Sequence, residues 1–496
     1  MWWNGKKTGY KKNIQLIKIF ILFFLFFLLL ISQNVLAQTQ NLILEYEHHW
    51  DTYETVGTCN FGTYNFFVGD IDNDKTLELI TGGMSYDMIN SSRTELRAPF
   101  KIWNWNGERF SLEKSHEWLG ITRSTFATDL DLDGLPEIIT GGTKSDGTKI
   151  NSILRVWNWD GANLLLKSEY EGISSGSISA FDFDEDWVSE IIVAGTNTTG
   201  AKTSAQLSIF KYNINTLELL GTIQWCASKS ASATSVATYD LDYDGQIEII
   251  TAGYDNDLNN SSGQIRIWHW ENEAFSLIEN KEWRMVEDVF GVTITGDPMG
   301  NTIVNNLRIK DVDLDGILEI VTGGFAFDGE KINAQLKIWN WENQILLCEN
   351  SHEWITNDVT EIKAVRLDDV DADNQVEIVT AGLTGAYGGF DDVNVPPEQG
   401  QLRVWRWNGE ELFLKYKEDW TVGDGVVAWN VQTGDIDQDG TVEIITVGCM
   451  YVSALCDPDL RIYYVVLDQN PPHYLIVVIL IITMIITTLV ILKKKK

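Results

Sequence analysis

Acidic residues recur at one fixed spacing in seven segments of the chain. Each segment carries Asp at positions 1, 3 and 5 and Glu at position 9 of a nine-residue window. The windows begin at Asp70, Asp129, Asp182, Asp240, Asp311, Asp369 and Asp435. Alternate residues of a turn can direct their side chains toward one centre, and a high density of carboxylate oxygens suits Ca²⁺. The spacing therefore predicts up to seven calcium-binding loops, numbered here in chain order.

The predicted ligands make up 28 of the 71 acidic residues of the chain. They are Asp70, Asp72, Asp74 and Glu78 in loop one; Asp129, Asp131, Asp133 and Glu137 in loop two; Asp182, Asp184, Asp186 and Glu190 in loop three; Asp240, Asp242, Asp244 and Glu248 in loop four; Asp311, Asp313, Asp315 and Glu319 in loop five; Asp369, Asp371, Asp373 and Glu377 in loop six; and Asp435, Asp437, Asp439 and Glu443 in loop seven. The alternative is a set of solvated turns, because Asp and Gly are common turn residues. One spacing shared by seven loops favours metal binding, and repulsion between the carboxylates should couple that binding to folding.

Position 6 distinguishes the loops from one another. Gly, which eases a sharp turn, occupies it in four loops, as Gly134, Gly245, Gly316 and Gly440. Lys75, Trp187 and Asn374 replace it in loops one, three and six. Asn tolerates a left-handed backbone better than Lys or Trp does. We therefore expect the weakest calcium sites in loops one and three.

The loops recur at intervals of 53 to 71 residues, and each repeat has the pattern of four β-strands. An alternating segment precedes the loop, and a β-branched strand follows it. The third strand carries Trp-x-Trp in five repeats, beginning at Trp103, Trp157, Trp268, Trp339 and Trp405. A hairpin turn such as Asn106-Gly107 then leads to the fourth strand. This pattern predicts an all-β protein built as a seven-bladed β-propeller, with the tryptophans packed between blades.

The two ends of the repeat region complement each other. Repeat seven stops after its third strand, at residues 460–467, whereas residues 42–50 match the fourth strand of repeat one. We therefore predict ring closure by the N- and C-terminal strands, in which the N-terminal strand completes the seventh blade beside the C-terminal strand.

The loop D-x-D-x-D-G-x-x-[DE], followed by a β-branched strand and repeated seven times, resembles the FG-GAP/VCBS repeat family. That family includes the seven-bladed propeller of integrin α subunits. The match covers nearly all of residues 41–470, although Thr-Gly-Gly or Thr-Ala-Gly replaces the Gly-Ala-Pro of the family. The resemblance implies calcium binding, a cell-surface location and a role in adhesion or ligand recognition.

Apolar segments mark both ends of the chain. Residues 1–37 combine lysines, an apolar run and small residues before Ala37, which predicts a secretory signal peptide or, alternatively, an uncleaved anchor. Residues 474–492 are long and apolar enough to span a bilayer, with a lipid-anchor signal as the alternative. The lysines at 493–496 predict a cytoplasmic tail. The exported propeller would then occupy residues 38–470.

The charge balance excludes one class of partner. The chain has 37 basic and 71 acidic residues and a net charge of −34, whereas binding nucleic acid requires clustered Lys and Arg. The five cysteines are too scattered for a zinc cluster, although a disulfide between Cys449 and Cys456 is possible. Four N-glycosylation sequons, at Asn90, Asn197, Asn259 and Asn260, favour a surface glycoprotein.

These features predict a single-pass cell-membrane protein. Its extracellular calcium-binding propeller would mediate adhesion or recognise an extracellular protein or glycan, with long loops at 289–305, 383–400 and 449–459 as the candidate surface. No residue is predicted to be catalytic. The alternatives are a lyase-like, polysaccharide-degrading enzyme on a calcium-stabilised propeller and a structural component of the cell envelope. An enzyme would need a cluster of Lys, Arg, Tyr or His near the central channel, and the repeat pattern does not single one out.

Overall fold

The computed structural model describes residues 40–49, 58–89, 92–199, 202–213, 215–226, 229–256, 261–284, 301–385, 397–452 and 455–467. These residues form 27 β-strands in four sheets and no helix, so the protein is all-β, as the sequence predicts. No membrane-spanning helix is found within these described ranges. The predicted signal peptide, transmembrane helix and cytoplasmic tail lie outside them. Residues Leu42–Tyr464 form one compact unit, and the two chain ends, Met1–Asn41 and Val465–Lys496, are grouped as a second.

The strands follow the repeats, four to a repeat. Repeat one contains β2 (Thr58–Gly69), β3 (Glu78–Ile89), β4 (Ser92–Trp105) and the first part of β5 (Phe110–Thr128). Repeat two contains the rest of β5, β6 (Glu137–Ser145), β7 (Ile150–Trp159) and β8 (Leu164–Glu171). Repeat three contains β9 (Ser177–Phe181), β10 (Glu190–Thr199), β11 (Lys202–Asn213) and β12 (Thr216–Trp225). Repeat four contains β13 (Ser230–Tyr239), β14 (Glu248–Asn256), β15 (Ser261–Glu271) and β16 (Ala274–Trp283).

The last three repeats complete the set. Repeat five contains β17 (Asn301–Lys310), β18 (Glu319–Phe327), β19 (Ile332–Glu342) and β20 (Ile345–Trp354). Repeat six contains β21 (Val359–Asp368), β22 (Glu377–Gly385), β23 (Gln399–Trp407) and β24 (Leu412–Trp420). Repeat seven contains β25 (Gly425–Gly434), β26 (Glu443–Val452) and β27 (Leu455–Leu467), and its fourth strand is β1 (Gln40–His49).

Each acidic loop joins the first strand of its repeat to the second. In all seven repeats the first strand ends one residue before position 1, and the second strand begins at the Glu of position 9. The strands within a repeat pair antiparallel in chain order, as β17, β18, β19 and β20 do in repeat five. The Glu is therefore anchored in a sheet, whereas the aspartates belong to the connecting turn.

The N-terminal strand lies beside the last strand of the repeat region. The sheet of repeat seven has the order β1-β27-β26-β25, which is the pairing that the sequence predicts. The guanidinium of Arg461 on β27 supports it, since its Nη2 lies 2.6 Å from Glu47 Oε1 on β1. The ring of Tyr46 on β1 packs edge-on against Trp105 of repeat one, with ring centroids 5.2 Å apart.

Consecutive repeats pack against each other through their first strands. These strands contact one another in the order β2, β5, β9, β13, β17, β21, β25, and β25 also contacts β2, so the order of contacts is cyclic. Six hydrophobic clusters each combine buried residues from two consecutive repeats, and one of these joins repeat seven to repeat one. The core of the protein therefore lies between repeats rather than within any one of them.

The first tryptophan of each Trp-x-Trp motif belongs to these clusters, which confirms the predicted packing between repeats. Its indole N–H also donates to the hydroxyl of a Thr in the second strand, three residues after the Glu of the loop (position 12). The distance is 2.9 to 3.2 Å in all five repeats that carry the motif. Repeat three replaces the pair by Phe210 and Val193, which are both buried and form no such bond. In repeat seven Tyr463 replaces the tryptophan, while Thr446 is retained. Wherever the buried indole N–H is present, the Thr supplies the acceptor that it needs.

Candidate metal centre

The aspartate at position 1 shapes each loop. Its Oδ2 accepts a hydrogen bond from the backbone N–H of position 6 in all seven loops, at 2.8 to 3.0 Å. In six loops its Oδ1 also accepts the N–H of position 5, at 3.0 to 3.2 Å. The chain therefore curls around this carboxylate. Because the hydrogen bonds join position 1 to positions 5 and 6, they require the fixed length of the motif.

The curl requires a left-handed backbone at two positions of each loop. Position 6 has a positive φ whether it holds Gly or not, with 80° at Lys75, 72° at Trp187 and 61° at Asn374. Position 4 has a φ between 54° and 65° in every loop and is never Gly; Leu314 and Ala372 are examples. This left-handed conformation costs a non-Gly residue roughly 1 kcal/mol. Sequence analysis identified only the first of these two positions.

The Glu at position 9 is the most buried acid of each loop. Its side chain is at most 2% exposed in all seven. Its Oε2 accepts the backbone N–H of position 2, at 2.7 to 3.3 Å, which leaves Oε1 on the side of the aspartates. Burial first, and then the neighbouring aspartates, raise the pKa of this group to about 7 in Glu78, Glu137, Glu190 and Glu377 and to about 8 in Glu319 and Glu443. Without a metal ion, burial and the neighbouring aspartates therefore disfavour the ionised form of this Glu.

Several aspartate oxygens in these loops are buried and unpaired. Among the described residues, no hydrogen-bond partner is found for Oδ1 of Asp131, Asp371 or Asp435. A buried acceptor without a partner costs free energy, and a bound cation would remove that cost. These oxygens and the buried Glu are hard ligands, so the donor set fits calcium.

The loops differ in which predicted ligands come together. In loops one, two and four, carboxylate oxygens from positions 1, 3 and 9 lie within 4.8 Å of one another. In loop three the corresponding group consists of positions 1, 3 and 5, and in loop six it contains all four acids. The aspartates at position 5 of loops one, two and four lie outside these groups. In all seven loops the aspartate at position 5 accepts the backbone N–H of position 7, at 2.7 to 3.0 Å.

A lysine ammonium lies among the carboxylates of loop three. Lys211 occupies the middle position of the motif that corresponds to Trp-x-Trp, and its Nζ is 2.7 Å from Asp184 Oδ2 and 2.5 Å from Asp186 Oδ2. Glu190 Oε1 is 3.8 Å away. Hydrogen bonds to the two aspartates raise the pKa of Lys211. The ammonium therefore neutralises part of the site that a metal ion would otherwise fill.

Loop six has two cations. Lys415, on the fourth strand, donates to Asp371 and to Glu377 Oε1 at 3.0 Å. Arg406, at the middle position of its Trp-x-Trp motif, places Nη1 3.6 Å from Asp373 Oδ2 and 3.5 Å from Glu377 Oε1. The carboxylates of Asp371 and Glu377 are fully buried beneath these cations.

The other loops face neutral or acidic neighbours, with one exception. The fourth strands bring Glu113, Glu349 and Glu45 near the aspartates of loops one, five and seven, and burial followed by those aspartates raises the pKa of each Glu. In loop four, His269 Nε2 lies 2.7 Å from Glu248 Oε1. Loop two has Lys167 near enough to lower the pKa of Asp131, although burial and Asp133 outweigh it and raise that pKa.

The loop motif does not predict these neighbours, because they lie on the third and fourth strands. The residue in the middle of Trp-x-Trp would have been a usable signal, because it is a cation in repeats three and six, as Lys211 and Arg406, and Asn in repeats one, two and five. Neither a protein-family model nor a curated protein matches the sequence. The resemblance to FG-GAP/VCBS repeats therefore rests on the loop motif alone.

Proposed function

We propose that this protein is a calcium-stabilised, seven-bladed β-propeller that recognises an extracellular protein or glycan at the cell surface. Three features support the propeller: four strands per repeat, the cyclic order of contacts between first strands, and the pairing of β1 with β27. A propeller closes in this way because the shared blade ties the two chain ends together.

The observation that carries the calcium assignment is the set of buried carboxylates in each loop. The Glu at position 9 and the aspartates at positions 1 and 3 would supply the ligands, and the ion would supply the positive charge that lets them remain ionised. Loops one, two, four, five and seven are the proposed sites. Loops three and six have their own ammonium or guanidinium groups and would bind weakly or not at all. This changes the ranking expected from position 6, because Lys75 leaves the hydrogen bonds of loop one intact.

A surface location is the expectation from the chain ends, and one feature of the described residues agrees with it. Cys449 is disulfide-bonded, and disulfides persist in oxidising compartments. Cys226 and Cys348 form no disulfide bond. Most of the loop residues proposed as the partner surface, and the sequons at Asn90, Asn259 and Asn260, lie outside the described residues. Asn197 is half-buried near the end of β10.

Calcium titration of the purified full-length chain tests this proposal. We expect about five bound ions by equilibrium dialysis, following the five loops that lack an inserted cation, and a melting temperature that falls when the ions are chelated. Magnesium serves as the control ion, since its demand for small octahedral sites does not fit these loops. An absence of calcium binding with an unchanged melt would refute the assignment.

A further inference from the structure

The first strands of all seven repeats line one cavity of about 430 Å³. Side chains that precede each acidic loop by three residues face it, and they differ between repeats. In order from repeat one to repeat seven they are Phe67, Phe126, Ser179, Ala237, Arg308, Arg366 and Gln432. The cavity thus has two adjacent aromatic rings, two small residues and two adjacent guanidinium groups.

Polar side chains five residues before an acidic loop form hydrogen bonds within the fold. Ser177 Oγ accepts the backbone N–H of Val236 in the next repeat, at 3.2 Å. Ser235 does the same for Leu307, and Asn306 for Val365, each at 3.2 Å. These bonds join consecutive first strands, so this level of the cavity is structural.

Most N–H donors of Arg308 and Arg366 have no acceptor among the described residues. Of the five N–H groups of a guanidinium, the described residues accept one from Arg308, through Leu307 O at 2.6 Å. They accept two from Arg366, through Gln432 Oε1 at 2.7 Å and Val365 O at 3.2 Å. No ion pair forms between either arginine and a carboxylate of the described residues, and no acidic residue lines the cavity there.

Arg308 and Arg366 lie on β17 and β21, two first strands that contact each other. Burial lowers the pKa of Arg308 to about 10, because a buried guanidinium loses the hydration that favours its charged form. Elsewhere in this acidic chain, the half-buried Lys211 and the buried Arg403 pair with carboxylates. An anion that enters the cavity would offset the cost of this desolvation.

The opposite part of the cavity contains two aromatic rings among polar side chains. The rings of Phe67 and Phe126 meet edge to face with centroids 6.0 Å apart. In the cyclic order of repeats, these two residues are separated from the arginines by the small side chains of Ser179 and Ala237 on one side and by Gln432 on the other. Aromatic rings with a few convergent charged groups are typical of small-molecule sites.

We propose that this cavity binds a small organic carboxylate, with its carboxylate between Arg308 and Arg366 and its apolar body against Phe67 and Phe126. The guanidinium groups match a carboxylate geometrically, because each can donate two parallel hydrogen bonds. The volume suits a small molecule rather than a polysaccharide chain. The site is separate from the acidic loops and does not depend on calcium binding by them.

Calorimetric titration of the full-length chain with phenylacetate, in calcium-containing buffer, tests the proposal. We expect one bound molecule per chain. Phenylacetamide keeps the ring but lacks the charge, and should bind at least about tenfold more weakly, as should phenylacetate with Arg308→Gln or Arg366→Gln. Phe126→Ala should weaken phenylacetate binding and leave the binding of acetate unchanged.

The control is Arg109→Gln, which removes the same charge from an exposed hairpin turn. It should bind phenylacetate as the unaltered chain does. Melting curves identify any variant that fails to fold, and Arg308→Lys then tests the site with the charge retained. Equal affinities for phenylacetate and phenylacetamide, or unchanged affinity in folded Arg308→Gln and Arg366→Gln, would overturn the proposal. Tighter binding of inorganic phosphate than of phenylacetate would overturn the assignment to an organic ligand.

Discussion

Loops five and six have the same acids and the same backbone but opposite surroundings. In both, position 1 accepts the N–H groups of positions 5 and 6, and the buried Glu accepts that of position 2. Loop five faces Glu349, whereas loop six faces Lys415 and Arg406. The motif therefore determines the shape of a loop, and the third and fourth strands determine its charge.

This difference decides what each loop requires for stability. Loop five brings its four acids and Glu349 together without a cation from the described residues. Loop six has the same four acids, and its two cations offset part of their charge. We therefore expect loop five to depend on an external ion, while loop six is held by its own side chains.

Removing calcium should have the largest effect on the whole protein. If each of the five proposed calcium loops binds calcium about tenfold below the ambient concentration, the ions together contribute about 7 kcal/mol to the free energy of unfolding. Because the Tm shift is the lost free energy divided by the entropy of unfolding, chelation should then lower the melting temperature by about 8 °C. Calorimetry with and without chelator measures this, and an unchanged melt would mean that the loops need no ion.

Replacing the ammonium of loop six should turn it into a calcium-dependent loop. Lys415→Met leaves Asp371 and Glu377 buried without their closest cation, which should cost about 3 kcal/mol in the absence of calcium. With calcium present, we expect one additional bound ion and recovery of most of that loss. Lys415→Arg is the matched control and should bind no extra ion. The same ion count for both variants would contradict the inferred role of Lys415.

The buried Glu residues should make the calcium-free protein less stable as the pH rises. Burial raises the pKa of Glu319 to about 8, from an ordinary value of 4.5. The folded state therefore holds a proton that the unfolded state releases, and between these two values the free energy of unfolding falls by up to about 1.4 kcal/mol per pH unit. Melting in chelator should shift upward from pH 8 to pH 5. Glu319→Gln should reduce this dependence, and calcium should abolish it.

The smallest effect should come from position 4, where the two loops have the same backbone. Leu314→Gly and Ala372→Gly should each change stability by only about 0.5 kcal/mol in the favourable direction. Relief of the left-handed strain of roughly 1 kcal/mol is partly offset by the greater entropy of the unfolded chain. Chemical denaturation measures both variants. A clear difference between them would show that the shape of the loop depends on its surroundings after all.

Much of the fold could be predicted because the same strand and loop pattern recurs in every repeat. The strand-loop-strand pattern, the Trp-x-Trp strands and the pairing of β1 with β27 follow from the repeated sequence. The hydrogen bonds that shape each loop join residues two to seven apart, so the spacing within one window is sufficient to specify them. The predicted ligands could be named for the same reason.

Only the tertiary structure decided which side chains face a loop and which face the cavity. Lys415 reaches Asp371 from 44 residues away, and Lys211 reaches Asp184 from 27 residues away. Arg308 and Arg366 become neighbours because consecutive first strands pack side by side. The sequence by itself determined seven acidic loops on an all-β chain. Packing of the strands decided the net charge at each loop and the composition of the cavity, because electrostatic interactions depend on distance in space and not on separation along the chain.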